Sequence, residues 1–218
     1  IIPSRYPPIQ LYERLTPDPA VWDALIVLEQ LTNPRVRDEV GAIALVPPDQ
    51  RVSGPGASYI MASFTHLNPK GSRFSDGSYG VYYAAAALKT AIAETIHHFE
   101  SFARAAADTP REEDMRVLVS GIAADFEDVN QMPPADQLRV LDSNNYSASQ
   151  AFAKELRSAG ANGVVYPSVR HPVGECIASF KPRLITLPVI QERHLRYRWN
   201  GSNVVRYFDY STGNWTPL

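Results

Sequence analysis

The chain has 218 residues, 44% of them hydrophobic and 20% charged, an ordinary globular composition rather than that of a disordered segment or a coiled coil. Its 21 lysines and arginines against 23 aspartates and glutamates leave a formal charge of −2, so no overall basic field draws it onto nucleic acid. One cysteine, Cys176, cannot close an internal disulfide, and no apolar run approaches the ~20 residues that span a bilayer. The opening IIPSRYPPIQ lacks the basic start and apolar stretch of a signal peptide. The expectation is a soluble, cytoplasmic, single domain over residues 1–218.

Pro3, Pro7 and Pro8 predict an extended arm, because proline fixes φ and cannot continue a helix. Residues 11–15 (LYERL) alternate apolar and charged side chains and read as a short strand. Asp18-Pro19 supplies an N-cap and a proline at the first helical position. Trp22, Leu25, Leu28 and Glu29 follow at helical spacing, giving a helix to about Leu31. Pro47-Pro48 and Gly54-Pro55-Gly56 mark loops, and residues 59–65 fit helix and strand equally.

Residues 70–77 (KGSRFSDG) form a glycine-rich polar loop leading into a strand at 80–84 (GVYYA). A long helix follows over about 86–105, with Leu88, Ile92, Thr95, Ile96, Phe99 and Phe102 on its apolar face. The acidic cluster Glu112-Glu113-Asp114 reads as a solvated loop, and residues 116–123 (RVLVSGIA) as a strand. Ser147 and Gln150 have capping-box spacing for a helix ending near Gly160. Residues 163–166, 176–180 and 183–187 read as three short strands. Residues 195–199 and 204–210 flank Asn200-Gly201-Ser202 as a hairpin. The sum is an α+β domain without internal repeats.

Motifs for zinc proteases, zinc ribbons, P-loops and serine hydrolases are absent. His97 and His98 are adjacent on the predicted helix, so their side chains point about 100° apart and do not easily share a metal. Arg196, Tyr197, Arg198 and Trp199 interleave basic and aromatic residues as a nucleic-acid surface would. The same alternation describes a half-exposed hairpin strand. Arg73, Tyr83 and Glu94 fall in a loop, the strand after it and the helix after that, an order that can bring three side chains to one cleft. Glu94 has Ala87, Ala91 and His98 as wheel neighbours. By pattern alone, Glu94 also fits an ordinary helix flank, Tyr83 a core aromatic, Arg73 a loop arginine and Ser168 a turn hydroxyl.

The segment GSRFSDGSYGVYYAAAALKTAIAE resembles the central signature of the RES-domain family, the toxin halves of bacterial RES–Xre toxin–antitoxin pairs. The matching positions are Arg73 with Phe74, then Tyr83, then Glu94, separated by 10 and 11 residues. Residues 11–15 are similar to the family's N-terminal tyrosine–arginine strand, with Glu13 inserted between Tyr12 and Arg14. Residues 163–170 (GVVYPSVR) are similar to its downstream Pro-Ser element and supply Ser168. The matches span about residues 11–180, which leaves 191–218 as a C-terminal hairpin extension.

The resemblance implies an ADP-ribosyltransferase-like fold, a split, curved β core with helices around an NAD+ cleft. It implies NAD+ as substrate and no metal, with ADP-ribose passing to water, phosphate or a protein side chain. Glu94, Arg73 and Tyr83 are the expected catalytic residues, and Arg14, Arg73, Tyr83 and Ser168 the expected NAD+ contacts. A carboxylate suits the oxocarbenium character that builds on the ribose, and arginine forks suit a pyrophosphate. Glu94 and Glu100 are six apart, so the ExE pair of many arginine-directed transferases is missing. The implied partners are an Xre-type antitoxin and a protein acceptor of ADP-ribose, with no nucleic acid or membrane. Two other readings remain: a non-catalytic interaction module keeping the fold, and a nucleic-acid binder built on the hairpin.

Overall fold

The computed structural model describes residues 1–5, 18, 21–32 and 41–218. The predicted strand at 11–15, with Arg14, lies outside these, as do Pro7 and Pro8 of the predicted arm. In chain order the elements are β1 (Ile2–Pro3), α1 (Trp22–Thr32), α2 (Ala57–Thr65), β2 (Tyr82–Ala85) and α3 (Leu88–Ala105). Then come β3 (Arg111–Ile122), β4 (Glu127–Asp128), α4 (Pro134–Val140), α5 (Ser147–Ser158), β5 (Gly163–Pro167) and β6 (Glu175–Ser179). The chain closes with β7 (Ile185–Trp199), β8 (Val204–Asp209) and β9 (Asn214–Pro217).

The strands make a five-stranded sheet ordered β1-β3-β7-β8-β9 and a four-stranded sheet ordered β2-β6-β5-β4. Among the described residues the strand pairings are antiparallel except that of β4 with β5. This is the expected α+β architecture, with a β core split into two sheets and helices around it. Among the described residues no helix is long and apolar enough to cross a membrane.

Side-chain periodicity decides what packs where. Met115 and Val117 of β3 and Leu195, Tyr197 and Trp199 of β7 point to one face of the larger sheet, and α3 lays Ile92, Ile96, Phe99 and Ala103 onto it. Phe102, expected on that face, is 58% exposed, because the stripe closes on Ala103 one residue further round the helix. Residues 59–65, open between helix and strand, are helical. Ile60, Met61 and Phe64 of α2 lie at helical spacing and cover the first half of β7 at Ile185 and Val189. The smaller sheet buries Val164, Tyr166, Cys176 and Ala178 against Phe74, Val140 and Ala153.

Three local expectations give way to tertiary partners. Residues 185–187 and 195–199 belong to one strand, because β3 pairs along the length of β7 from Arg111 opposite Trp199 to Ile122 opposite Ile185, while residues 182–184 form a short 3-10 turn before it. The acidic cluster is strand, not loop. Glu112 and Asp114 meet Arg198 and Arg196 across the ladder, while Glu113 turns to the other face, buried and ion-paired with Arg111 and Arg5. The capping box at Ser147 does not form: Gln150 Nε2 is drawn away to Ser72 O, and Asn145 Oδ1 accepts from Ser147 N instead. The alternation at 196–199 is that of a half-buried strand, since Tyr197 and Trp199 are in the core and both arginines outside are paired with acids.

Candidate functional site

The loop before β2 is built on a glycine turn. Gly71 has φ of +74°, and a Cβ there would lie 2.4 Å from Ser75 O, so a side chain is excluded twice over. Ser72 N donates to Ser75 O at 2.7 Å and closes the turn. Phe74 is fully buried, its ring edge-on to Tyr166 at 4.9 Å. Arg73 is 8% exposed. Its Nη1 donates to Asp142 O at 2.7 Å and Val140 O at 3.2 Å, and the guanidinium stacks 4.6 Å over the Tyr146 ring. Nε and Nη2 of Arg73 make no hydrogen bond to the described residues, so half of the fork is uncommitted.

Tyr83 comes from β2, the strand that pairs with β6 at Ala178. Its hydroxyl accepts from Phe74 N at 2.9 Å and shares a hydrogen bond with Ser72 Oγ at 2.8 Å. Burial of the hydroxyl pushes its pKa up to about 12. The residue is nevertheless 39% exposed, so Tyr83 is anchored at its tip while part of it stays open to solvent.

Glu94 sits on α3, on the side opposite the stripe that packs against the larger sheet. That side carries Thr90, Glu94 and His97, spaced one helical turn apart, and meets the loop between β5 and β6. Glu94 Oε1 accepts from Ser168 Oγ at 2.5 Å. The Ser168 hydroxyl, buried in the turn, also accepts from Arg170 N at 3.1 Å and His171 N at 3.0 Å. Arg170 Nη2 donates to His97 Nε2 at 2.9 Å and to Ser143 O at 3.0 Å. His171 Nδ1 lies 3.0 Å from Thr90 Oγ1.

The charges converge. Arg73 Nη1 and Arg170 Nη2 donate to the neighbouring carbonyls of Asp142 and Ser143, and the charges of Glu94 and Arg73 both bear on His98, Tyr166 and the Cys176 thiol, so the two candidate groups lie around the same region. Cys176 is buried in β6, and burial pushes its pKa up to about 12. Burial also lowers the pKa of His97 and His98, helped by the Arg170 charge. A cavity of about 220 Å³ opens beside Tyr83 and Ser72, lined also by Ser63, His66 and Asn68. A larger one of about 370 Å³ lies away from these groups, against Pro110, Arg198 and Trp199.

Arg73, Tyr83, Glu94 and Ser168 are therefore drawn together from a loop, a strand, a helix and a second loop. Arg14 lies outside the described residues. Sequence reasoning passed over Arg170, His171, Thr90 and Tyr146, and weighed His97 only as a metal ligand. The available signal was the spacing of 90, 94 and 97 on one helix face and the adjacency of Arg170 and His171 to Ser168. Nothing local says that those two stretches meet.

The model of the RES domain matches residues 48–200, and the chain belongs to that family. Arg73, Tyr83, Glu94 and Ser168 fall inside the match, and Arg14 precedes it. The chain is 30% identical over 204 residues to the uncharacterized protein y4oC of Sinorhizobium fredii, covering 94% of this chain and 83% of that protein. Among solved structures it is similar to a chain in the crystal structure of the M. tuberculosis MbcT–MbcA toxin–antitoxin complex. That similarity has 14% identity and a TM-score of 0.38, over 61% of this chain and 74% of the other.

Proposed function

We propose that this chain is the toxin of a toxin–antitoxin pair and that it consumes NAD+, breaking the bond between nicotinamide and ribose. ADP-ribose then passes to an acceptor, which is water, inorganic phosphate or a protein side chain. The observation that carries this reading is the Glu94 carboxylate, held through one oxygen in a site shared with Arg73 and Tyr83, in a chain of the RES-domain family.

When the C1′–N bond breaks, neutral nicotinamide leaves with the bonding electrons and positive charge develops on the ribose. A fixed carboxylate next to that carbon stabilises the charge or holds a ribose hydroxyl, and it needs no rearrangement at the moment of reaction. Tyr83 offers an aromatic surface to the cationic nicotinamide ring before it leaves. The two uncommitted nitrogens of Arg73 suit pyrophosphate oxygens, and Arg14 is the second arginine for that task. The acceptor adds to C1′ and loses its proton. A cytoplasmic partner antitoxin of the Xre type would silence the enzyme.

The test is incubation of purified chain, free of antitoxin, with NAD+ labelled on the adenylate, with and without phosphate and a cell lysate. Nicotinamide release is expected, and Glu94→Ala is expected to abolish it while keeping the wild-type circular dichroism spectrum. The labelled product names the acceptor. Near-normal turnover in Glu94→Ala, or no cleavage by folded wild type, would sink the assignment and leave the interaction-module reading.

A further inference from the structure

A serine hydroxyl has one proton to give and two lone pairs to accept with. In Ser168 both lone pairs are engaged by the backbone N–H groups of Arg170 and His171, so the proton goes to Glu94 Oε1. The hydroxyl is saturated by the protein and keeps no capacity for a ligand. Glu94 Oε2, by contrast, makes no hydrogen bond to the described residues.

The turn that saturates Ser168 is itself fastened to α3 on both sides of Glu94. One turn before Glu94, fully buried Thr90 meets His171. One turn after it, His97 accepts from Arg170. A guanidinium has no acceptor, so this bond requires His97 to be neutral with its proton on Nδ1. Ser168 N donates to Gly174 O and Gly174 N to His171 O, both at 2.8 Å, which closes the loop on itself. Gly174 approaches α3 so closely that a Cβ would lie 2.5 Å from the Thr90 side chain.

We propose that residues 168–174 are a positioning loop for the catalytic carboxylate: Ser168 holds one oxygen of Glu94, Arg170 and His171 staple the loop to α3, and the second oxygen is left for the substrate. This rests on the reading of Glu94 as the carboxylate that faces the ribose. Ser168 and Arg170 are then positioning residues and do not touch NAD+. His97 ties the staple to pH, with Arg170 from the loop and His98, Glu94 and Glu100 from its own helix around it.

The experiment compares wild type with Ser168→Ala, Arg170→Gln and Arg170→Lys, reading kcat and KM for nicotinamide release and NAD+ affinity by calorimetry. A carboxylate displaced by about 1 Å costs up to about 100-fold in rate, so Ser168→Ala is expected to lower kcat by roughly 10- to 100-fold. Its KM and Kd for NAD+ should stay within about twofold of wild type. Arg170→Gln should lower kcat and remove the acid-side fall that protonation of His97 causes, and Arg170→Lys should recover part of the rate. A large rise in KM or Kd with kcat retained would mean that these residues grip NAD+, and would overturn the proposal. So would an unchanged kcat.

If Ser168→Ala does not fold, the two Arg170 variants carry the test. A second readout does not depend on turnover: the imidazole nitrogen signals of His97 should report Nε2 as the acceptor in wild type and a raised titration midpoint in Arg170→Gln. No change in those signals would overturn the staple even if the chain cleaves NAD+. A chain that cleaves nothing yet shows the change keeps the staple and loses the functional reading.

Discussion

Tyr83 illustrates how one residue serves fold and site together. Its hydroxyl satisfies Phe74 N and Ser72 Oγ, fixing the loop that aims Arg73, while part of the residue remains open. Tyr83→Phe removes both bonds and leaves the Phe74 amide without that partner, which should cost about 1–3 kcal/mol of stability, measurable by chemical denaturation. Since the aromatic face is kept, NAD+ affinity should change little in that variant, whereas Tyr83→Ala should weaken it; equal affinities for the two would remove the stacking role. Ser168 was legible as a candidate, but its partners were not. A hydroxyl in a Pro-Ser turn looks alike in sequence whether it meets ligand, solvent or a carboxylate 74 residues away.

At the scale of elements, α3 is the piece on which the site depends. One face packs on β3 and β7, and the opposite face receives the 168–174 loop, so the helix links the two sheets. Its apolar stripe was visible from periodicity, because burial against one sheet imposes a 3.6-residue repeat. The second face was not visible, because it carries polar side chains whose partners are distant in sequence. Gly174 shows how tight that contact is. Gly174→Ala should force the loop away from Thr90 and cost about 1–3 kcal/mol, seen as a lower denaturation midpoint, and it should also reduce cleavage. Wild-type stability in that variant would show that the loop is free to shift. The same logic explains the acidic cluster: three consecutive acids read as solvated until the strand bearing Arg196 and Arg198 is laid beside them.

For the whole molecule, several titrating groups act in one direction. Hydrogen bonds from Arg198 and Arg196 hold Glu112 and Asp114 below their ordinary values of 4.5 and 3.8, and burial holds His97 and His98 below 6.5. In each case the unfolded chain binds protons more readily than the folded one, so acid favours unfolding. Stability should be greatest above 6.5, fall first as the histidines are forced to charge, and fall again below 4.5 as the carboxylates protonate. Thermal melts across this range check the sign, and a melting temperature that rises on acidification would contradict it. Because Glu112 and Asp114 are partly exposed, high salt should blunt the lower step more than the upper one.

The sequence by itself determined the α+β class, the burial of α3, the hairpin around residues 200–203 and the order of Arg73, Tyr83 and Glu94 along the chain. These follow from short-range periodicity, turn residues and motif spacing, which the linear chain carries in full. Only the tertiary structure decided that β7 is one strand, that Glu112 and Asp114 are neutralised across it and that the Gln150 side chain reaches out from its helix to hold the Ser72 loop. It also decided that Ser168 turns its hydroxyl to Glu94, with Arg170 and His171 fastening that turn to α3. Each of these is a contact between residues far apart in sequence, where a hydrogen bond or ion pair available only in the folded chain replaces the local or solvated alternative.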